Sequence, residues 1–219
     1  MNIIKNKHKL CMKYESDIWG LVLAKGKFNK VGEFLQQLTE GTGKRRDWVW
    51  RSNSFKQIIR DRKKVCLYYG GLKLREYKRY SVEAKENGRG DYCDDMVSLL
   101  ECRLSVVVYR LKFANSVQEG MDLVKGGYFL VNKEVIRKPG YAVQVGDIIE
   151  VSPDCRYLVW NQLKERVTDL YLPMGYPKYL EVNYKLMSGI LLHKPKIKEV
   201  YYPFELEPYF YYISYNSRI

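Results

Sequence analysis

The chain has no Cys-x-x-Cys pair, and its five cysteines (Cys11, Cys66, Cys93, Cys102 and Cys155) are odd in number and scattered. That spacing argues against a zinc knuckle, and the odd count against a secreted disulfide framework. A reducing compartment is the simplest fit. His8 and His193 stand alone, so neither suggests a metal ligand set or a catalytic base. No apolar run approaches the roughly 20 residues that a membrane-spanning helix needs, and no membrane partner is expected. Glycine-rich nucleotide motifs are missing too. The stretch Gly41-Thr-Gly-Lys-Arg-Arg46 does not have the four-residue spacing of a phosphate-binding loop. Asp94-Asp95 is a paired carboxylate, but it sits where a helix start favours acids. With no acid/base constellation, the sequence predicts neither an enzyme nor a bound metal or cofactor.

Acidic residues are scarce in one part of the chain. Net charge is +13 over 219 residues. Residues 1–80 hold 20 basic and 7 acidic side chains, whereas residues 81–219 hold 18 of each. The whole excess therefore lies in the N-terminal part, and a polyanion is the expected partner. Trp19, Trp48, Trp50, Phe55, Tyr68, Tyr69, Tyr77 and Tyr80 lie among these cations. Such a mixture suits base stacking better than a lipid surface, although any single ring is more readily a core residue. The start, MNIIKNKHKLCMKY, reads as a basic nucleic-acid-binding arm rather than a transit or secretory peptide.

Residues 1–53 read as irregular, with a short helix at Phe34–Leu38. A helix is predicted over 54–65, capped by Ser54 and placing Phe55, Ile58, Ile59 and Arg62 on one face. A second basic helix follows Gly70-Gly71, over 72–85. A longer amphipathic helix starts near Asp94, capped by Asp94 or Asp95, with Met96, Leu100, Leu104, Val107 and Leu111 at helical spacing. Ser116 and Glu119 form a capping-box pattern, and Gly126-Gly127 closes that helix. The period then changes to that of strands, at Tyr128–Val131, Glu134–Ile136 and Ile148–Val151, with turns at Asn132-Lys133 and Pro139-Gly140. A helix is expected over 159–170. Later prolines limit the remainder to short segments, with possible strands at Tyr179–Val182 and Tyr209–Tyr215.

Four motifs carry a family resemblance. Leu100-Glu-Cys-Arg-Leu-Ser-Val-Val-Val-Tyr-Arg-Leu-Lys-Phe-Ala114, Leu123-Val-Lys-Gly-Gly-Tyr-Phe-Leu-Val-Asn132, Pro139-Gly-Tyr141 and Val145-Gly-Asp-Ile-Ile-Glu-Val151 resemble the S-four RNA-binding domain in order and spacing. The flanks Tyr69-Gly-Gly-Leu72, Pro177-Lys-Tyr-Leu-Glu-Val182 and Tyr211-Tyr-Ile-Ser-Tyr-Asn-Ser-Arg218 resemble the S-four family of small-subunit ribosomal proteins. The resemblance covers about residues 60–218. It implies an α+β chain with a basic helical body formed from its N- and C-terminal parts (54–98 and 153–219). An S-four domain of two helices and a small sheet (99–152) is inserted between them, and 1–53 form an arm. It further implies small-subunit rRNA as partner, a role in assembly, ribosomal protein S-five as neighbour, a position near where mRNA enters, and no homo-oligomer.

The candidate RNA-binding residues are Arg45, Arg46, Arg51, Lys56, Arg60, Arg62, Lys63, Lys64, Lys73, Arg75, Lys78 and Arg79 in the basic region. In the S-four unit they are Arg103, Arg110, Lys112, Ser116, Lys125 and Tyr128. The helix start at Ser116 offers backbone N–H groups to phosphate oxygens. Arg103 and Arg110 either reach phosphates or pair internally with Glu101 or Asp147. Bacterial members commonly carry arginine where this chain has Val117 and Met121, and His-Gly-His where it has Gly126-Gly-Tyr128. Leu100–Ser152 holds seven basic and six acidic residues. A modest grip by this unit is therefore expected, with residues 1–80 carrying most of the binding. The richness in Tyr, Lys, Ile and Asn resembles members encoded in AT-rich organellar genomes. A mitochondrial ribosome is expected, with bacterial cytoplasm or a plastid as alternatives. Two rival functions stand beside this one: a free-standing S-four RNA-binding factor, and an RNA-modifying enzyme of the kind to which such domains are fused.

Overall fold

A computed structural model describes residues 7–14, 16–19, 33, 36, 54–87, 91–168 and 177–204. Among these the helices are α1 (Lys7–Tyr14), α2 (Ser54–Tyr68), α3 (Leu74–Asn87), α4 (Tyr92–Glu101), α5 (Leu104–Arg110), α6 (Val117–Gly126) and α7 (Arg156–Thr168). The strands are β1 (Phe129–Val131), β2 (Glu134–Val135), β3 (Ile148–Val151), β4 (Leu180–Asn183) and β5 (Ser188–Leu191). Short 3-10 turns cover Pro153–Cys155 and Ile197–Glu199. The architecture is α+β. The chain divides into two units, one of residues 1–77 with 201–219, the other of residues 78–200. The division falls inside α3.

In the first unit, α1 replaces part of the irregular stretch expected for residues 1–53, burying Cys11. Of the predicted Phe34–Leu38 helix only Gln36 is among the described residues, and it is helical. Helix α2 runs one turn past the predicted end, because Val65, Cys66, Leu67, Tyr68 and Tyr69 are all buried. Gly70 and Gly71 both take positive φ, 81° and 80°, and end it. Tyr68 and Tyr69 meet edge to face at 5.2 Å, and Tyr68 lies 5.3 Å from Tyr202 and 5.8 Å from Phe204. The Tyr68 hydroxyl donates to the Tyr201 carbonyl at 3.2 Å, and the Tyr69 and Tyr202 hydroxyls bond each other. Segments far apart in sequence are thus joined by rings whose polar tips are satisfied.

The second unit is built on one antiparallel sheet of order β2-β1-β3-β5-β4. Phe129, Val131, Ile149, Val151 and Leu191 are buried, as are Leu104, Val107, Val108 and Leu111 of and after α5, and Phe113. The Asn132-Lys133 turn has both φ angles positive, 51° and 71°. This is the signature of a type I′ hairpin, whose twist matches the strands. Hairpin β4–β5 extends the sheet through β3, pairing Ile149 with Gly189. The strand at 180–183 matches the sequence pattern. Strand β5 has no such forewarning, since Ser188–Leu191 is short and contains a glycine. The possible strand at Tyr209–Tyr215 lies outside the described residues.

One predicted helix proves to be two. The periodicity from Asp94 to Leu111 suggests a continuous helix, but α4 ends at Glu101 and α5 begins at Leu104. Between them Arg103 is extended, with φ −69° and ψ 131°, and bridges Ala142. The Pro139–Val143 loop inserts here. Leu104 N–H donates to the Tyr141 carbonyl at 2.8 Å, Ser105 N–H to the Pro139 carbonyl at 3.1 Å, and Val143 N–H to the Cys102 carbonyl at 2.8 Å. The loop satisfies the orphan donors of a new helix start, so tertiary pairing overrides the local repeat. The α4 cap is Asp91 rather than Asp94 or Asp95; its Oδ1 accepts from Cys93 N–H at 3.2 Å.

Candidate nucleic-acid interface

Helix α3 shows how the sequence makes a cationic face. Tyr77, Tyr80 and Ala84 recur at helical spacing and are buried. Their burial turns Arg75, Lys78, Arg79 and Lys85 outward, where all are exposed. On α2 the same logic exposes Arg60 and Lys63, while Arg62 and Lys64 are half-buried. Lys64 pairs with Asp61 at 3.2 Å. Lys73, before α3, is exposed. Arg45, Arg46 and Arg51 lie outside the described residues, and Lys56 is described only as part of α2.

In the sheet-containing unit the expected residues behave differently. Arg110 does not project as a free cation. Its Nε donates to Glu101 Oε2 at 2.9 Å and its Nη2 to Oε1 at 2.7 Å. Glu101 is wholly buried and also accepts from the Tyr179 hydroxyl at 2.9 Å. The internal pairing is therefore the one that forms for Arg110, since a buried carboxylate requires partners. Asp147 has another task. Its two oxygens accept from Asn132 Nδ2 at 2.9 Å and Gln144 N–H at 2.8 Å, pinning the Gly146-Asp147 turn to the hairpin.

Ser116 caps α6, its hydroxyl accepting from Glu119 N–H at 3.2 Å, while the Glu119 carboxylate accepts from Asn115 N–H. Two of the N–H groups at this helix start are thus satisfied within the chain. Gly127 closes α6 at φ 81°. Lys112, at φ 65°, is half-buried. Lys125 lies 3.7 Å from Asp122 with both exposed, and Tyr128 is half-buried. Val117 is buried, so at this position the chain contributes to the core rather than to a charged surface.

Arg103 is only 5% exposed, and it makes neither of the internal pairings, with Glu101 or with Asp147, that stood as the alternative to a phosphate contact. The α4–α5 break turns it inward. Its guanidinium lies 5.9 Å from the centre of the Tyr80 ring, and that of Arg79 lies 5.1 Å from the same ring. Arg103 Nε and Nη1 are buried and make no hydrogen bond among the described residues. Both arginines, with Tyr80, Glu83, Gly140 and Lys194, line a cleft of about 290 Å³.

A further cluster is not legible in the sequence. Arg156, Tyr157 and Trp160 of α7 share a cleft of about 310 Å³ with Tyr184 and Lys185 of the β4–β5 turn. Tyr157 is 73% and Trp160 41% exposed, and Lys164 Nζ stands 5.4 Å from the Trp160 ring. Exposed rings beside cations are chemically suited to base stacking. Only the unexpected hairpin brings the two segments together.

Among the described residues, no three His, Cys, Asp or Glu side chains are grouped to hold a metal ion. None of the described helices is long and apolar enough to cross a membrane.

Residues 102–149 match the S4 domain family. The chain is similar to the small ribosomal subunit protein uS4 of Methylorubrum populi, with 32% identity over 209 residues, covering 94% of each chain. It is 31% identical to that of Granulibacter bethesdensis over 216 residues, covering 98% of each. It is 29% identical to uS4m of Reclinomonas americana over 207 residues, covering 93% of this chain and 80% of the other.

Proposed function

The chain belongs to the small ribosomal subunit protein uS4 family, and from that premise we propose how it works. It is an rRNA-binding structural constituent of the small ribosomal subunit, not an enzyme. The observation that carries this reading is end-to-end similarity to uS4 proteins, with 98% of both chains aligned in one case. A free-standing factor sharing only the S-four module would not align in this way.

The exposed cations Arg60 and Lys63 of α2, Lys73 before α3, and Arg75, Lys78 and Arg79 of α3 take most of the RNA phosphates, together with Arg45, Arg46, Arg51 and Lys56. Arg62 and Lys64 flank them. These contacts read shape and backbone, since side chains enter the A-form major groove poorly. Within the S-four module, Lys112, Ser116, Lys125 and Tyr128 make a weaker second contact, and Arg110 serves to hold Glu101. The domain reading is an arm (1–53), a body drawn from 54–98 and 153–219, and an RNA-docking module at 99–152. The ring cluster of Tyr68, Tyr69, Tyr202 and Phe204 supports a body fed by both parts of the chain. Ribosomal protein S-five is the proposed neighbour, near where mRNA enters, and the proposed compartment is the mitochondrial matrix. Similarity to uS4m and the organellar composition support that compartment.

The test is stoichiometry on purified ribosomes. Tagged protein should remain at about one copy per small subunit after a high-salt wash, and be recovered from mitochondrial rather than cytosolic ribosomes. Release in the wash would favour the free-standing factor; recovery only from bacterial-type cytosolic ribosomes would remove the mitochondrial assignment. Crosslinking within the subunit would test the S-five and mRNA contacts.

A further inference from the structure

We propose that the cleft beneath the Pro139–Val143 loop is a socket for one backbone phosphate of the bound RNA, with Arg103 as its floor. The proposal rests on the rRNA-binding reading above and adds a specific, partly buried site to its exposed cationic face.

The first argument is an unmet requirement. A guanidinium taken out of water needs hydrogen-bond acceptors, and leaving its donors unmade is costly. Arg103 is 5% exposed, and its Nε and Nη1 have no acceptor among the described residues. Neighbouring Arg110 shows the alternative in the same unit, with its donors taken up by Glu101 at 2.7 and 2.9 Å. Among the described residues, no comparable carboxylate is joined to Arg103.

The second argument is the setting. Arg103 lines an open cleft with two further cations, Arg79 and Lys194, against one carboxylate, Glu83. The excess of positive charge favours a strong anion. Tyr80 lies against both guanidinium groups, at 5.1 and 5.9 Å, and holds them without consuming their donors on a carboxylate; only Arg79 Nη2 donates, weakly, to the Tyr80 hydroxyl at 3.5 Å. The cleft wall is open at Gly140, where an added Cβ would meet only the Tyr80 hydroxyl, at 3.7 Å. A phosphodiester suits this set better than a carboxylate side chain. Its non-bridging oxygens accept a forked Arg and leave the ribose and bases outside. Arg103 is held for this by its backbone: its bridge to Ala142 fixes the residue at the cleft.

Arg103→Met tests the socket, because it keeps the side-chain length and removes the orphan donors. The full chain is titrated with its own small-subunit rRNA, transcribed in vitro, over a range of salt. Backbone phosphates are mapped by ethylation interference, and thermal unfolding is followed with and without inorganic phosphate. Arg103→Met should leave Tm unchanged or raised, yet weaken RNA binding by about tenfold or more. The slope of log K against log salt should fall by about 0.7–0.9, as when one phosphate is no longer neutralised. One phosphate should lose its interference, and inorganic phosphate should raise the Tm of the wild type more than that of the variant. Should Arg103→Met fail to fold, Lys194→Met, at an exposed position, must weaken interference at a single phosphate. Wild-type binding with unchanged slope and interference in these variants overturns the socket while the RNA-binding reading stands. Unchanged RNA binding with loss from assembled subunits would identify a protein carboxylate as the anion and also overturn it. Absence of wild-type rRNA binding would remove both.

Discussion

At Glu101 a carboxylate with no solvent exposure meets one guanidinium and one phenol. Removing one partner of such a pair leaves a buried charge uncompensated. Glu101→Gln should therefore lower unfolding stability by about 3 kcal/mol, seen as a lower urea midpoint with unchanged slope. Glu101→Leu combined with Arg110→Met should recover much of that deficit, since an apolar pair needs no compensation. If the double variant is less stable than Glu101→Gln, the ion pair contributes more than its desolvation cost. Cysteine reactivity follows burial in the same way. Burial pushes the Cys66 thiol up to about 11, against the opposing pull of Lys63 and Arg62. At pH 8 only roughly 0.1% would be thiolate, so iodoacetamide should leave Cys66 unmodified in the folded protein. Mass spectrometry of the alkylated chain checks this, and rapid modification would contradict the burial.

Two contacts between elements depend on what is missing from a side chain. A Cβ at Gly120 of α6 would lie 2.6 Å from the Ser105 carbonyl oxygen of α5. That obstacle is backbone and cannot rotate away, so the close approach of α5 and α6 requires glycine. Gly120→Ala should cost about 1–3 kcal/mol, measured by thermal unfolding. Gly189 of β5 is crowded by Leu111 methyl groups at 2.6 and 2.7 Å and by the Glu181 carbonyl oxygen at 3.2 Å. The 3-10 turn Ile197–Glu199 is expected to respond to pH. The Lys196 N–H bond to its carboxylate holds Glu199 below the usual range, helped by His193 at 3.1 Å. A depressed carboxylate supports the turn above its unfolded pKa and loses that support as pH falls through the folded value. The protection factor of the Lys196 amide, its exchange relative to an unstructured chain at the same pH, should fall on acidification below the ordinary glutamate range, and Glu199→Gln should abolish that fall.

For the whole molecule, charge placement predicts how binding varies with salt. The exposed cations of α2 and α3 act on phosphates irrespective of base sequence, so replacing Arg60, Lys63, Lys73 and Arg75 by alanine should weaken rRNA binding broadly. The salt slope should fall by about 0.7–0.9 for each phosphate that is no longer engaged. Lys125→Ala, in a pair exposed on both sides, should change stability by less than about 0.5 kcal/mol and shift the slope by the equivalent of one phosphate at most. A salt-independent affinity would show that the cationic face is not where RNA is held.

The sequence by itself determined the family, the α+β class, the basic N-terminal bias and most element types, because these depend on local order. Ser116 and Glu119 mark a helix start, Gly127 its end, and Asn132-Lys133 the hairpin, each through bonds spanning a few residues. Tertiary structure decided which cations are available. Arg103 and Arg110 look alike on a helical repeat, yet a loop some 40 residues away divides that repeat, as the Arg103–Ala142 bridge records. One arginine is thereby tied to Glu101, and the other turns into a cleft where two of its donors meet no acceptor among the described residues. Strand β5 and the Tyr157–Trp160–Tyr184 cluster were hidden for the same reason. Strand β5 is held by pairing with β3 and β4, and the cluster forms where that hairpin shares a cleft with α7; periodicity along a single segment encodes neither.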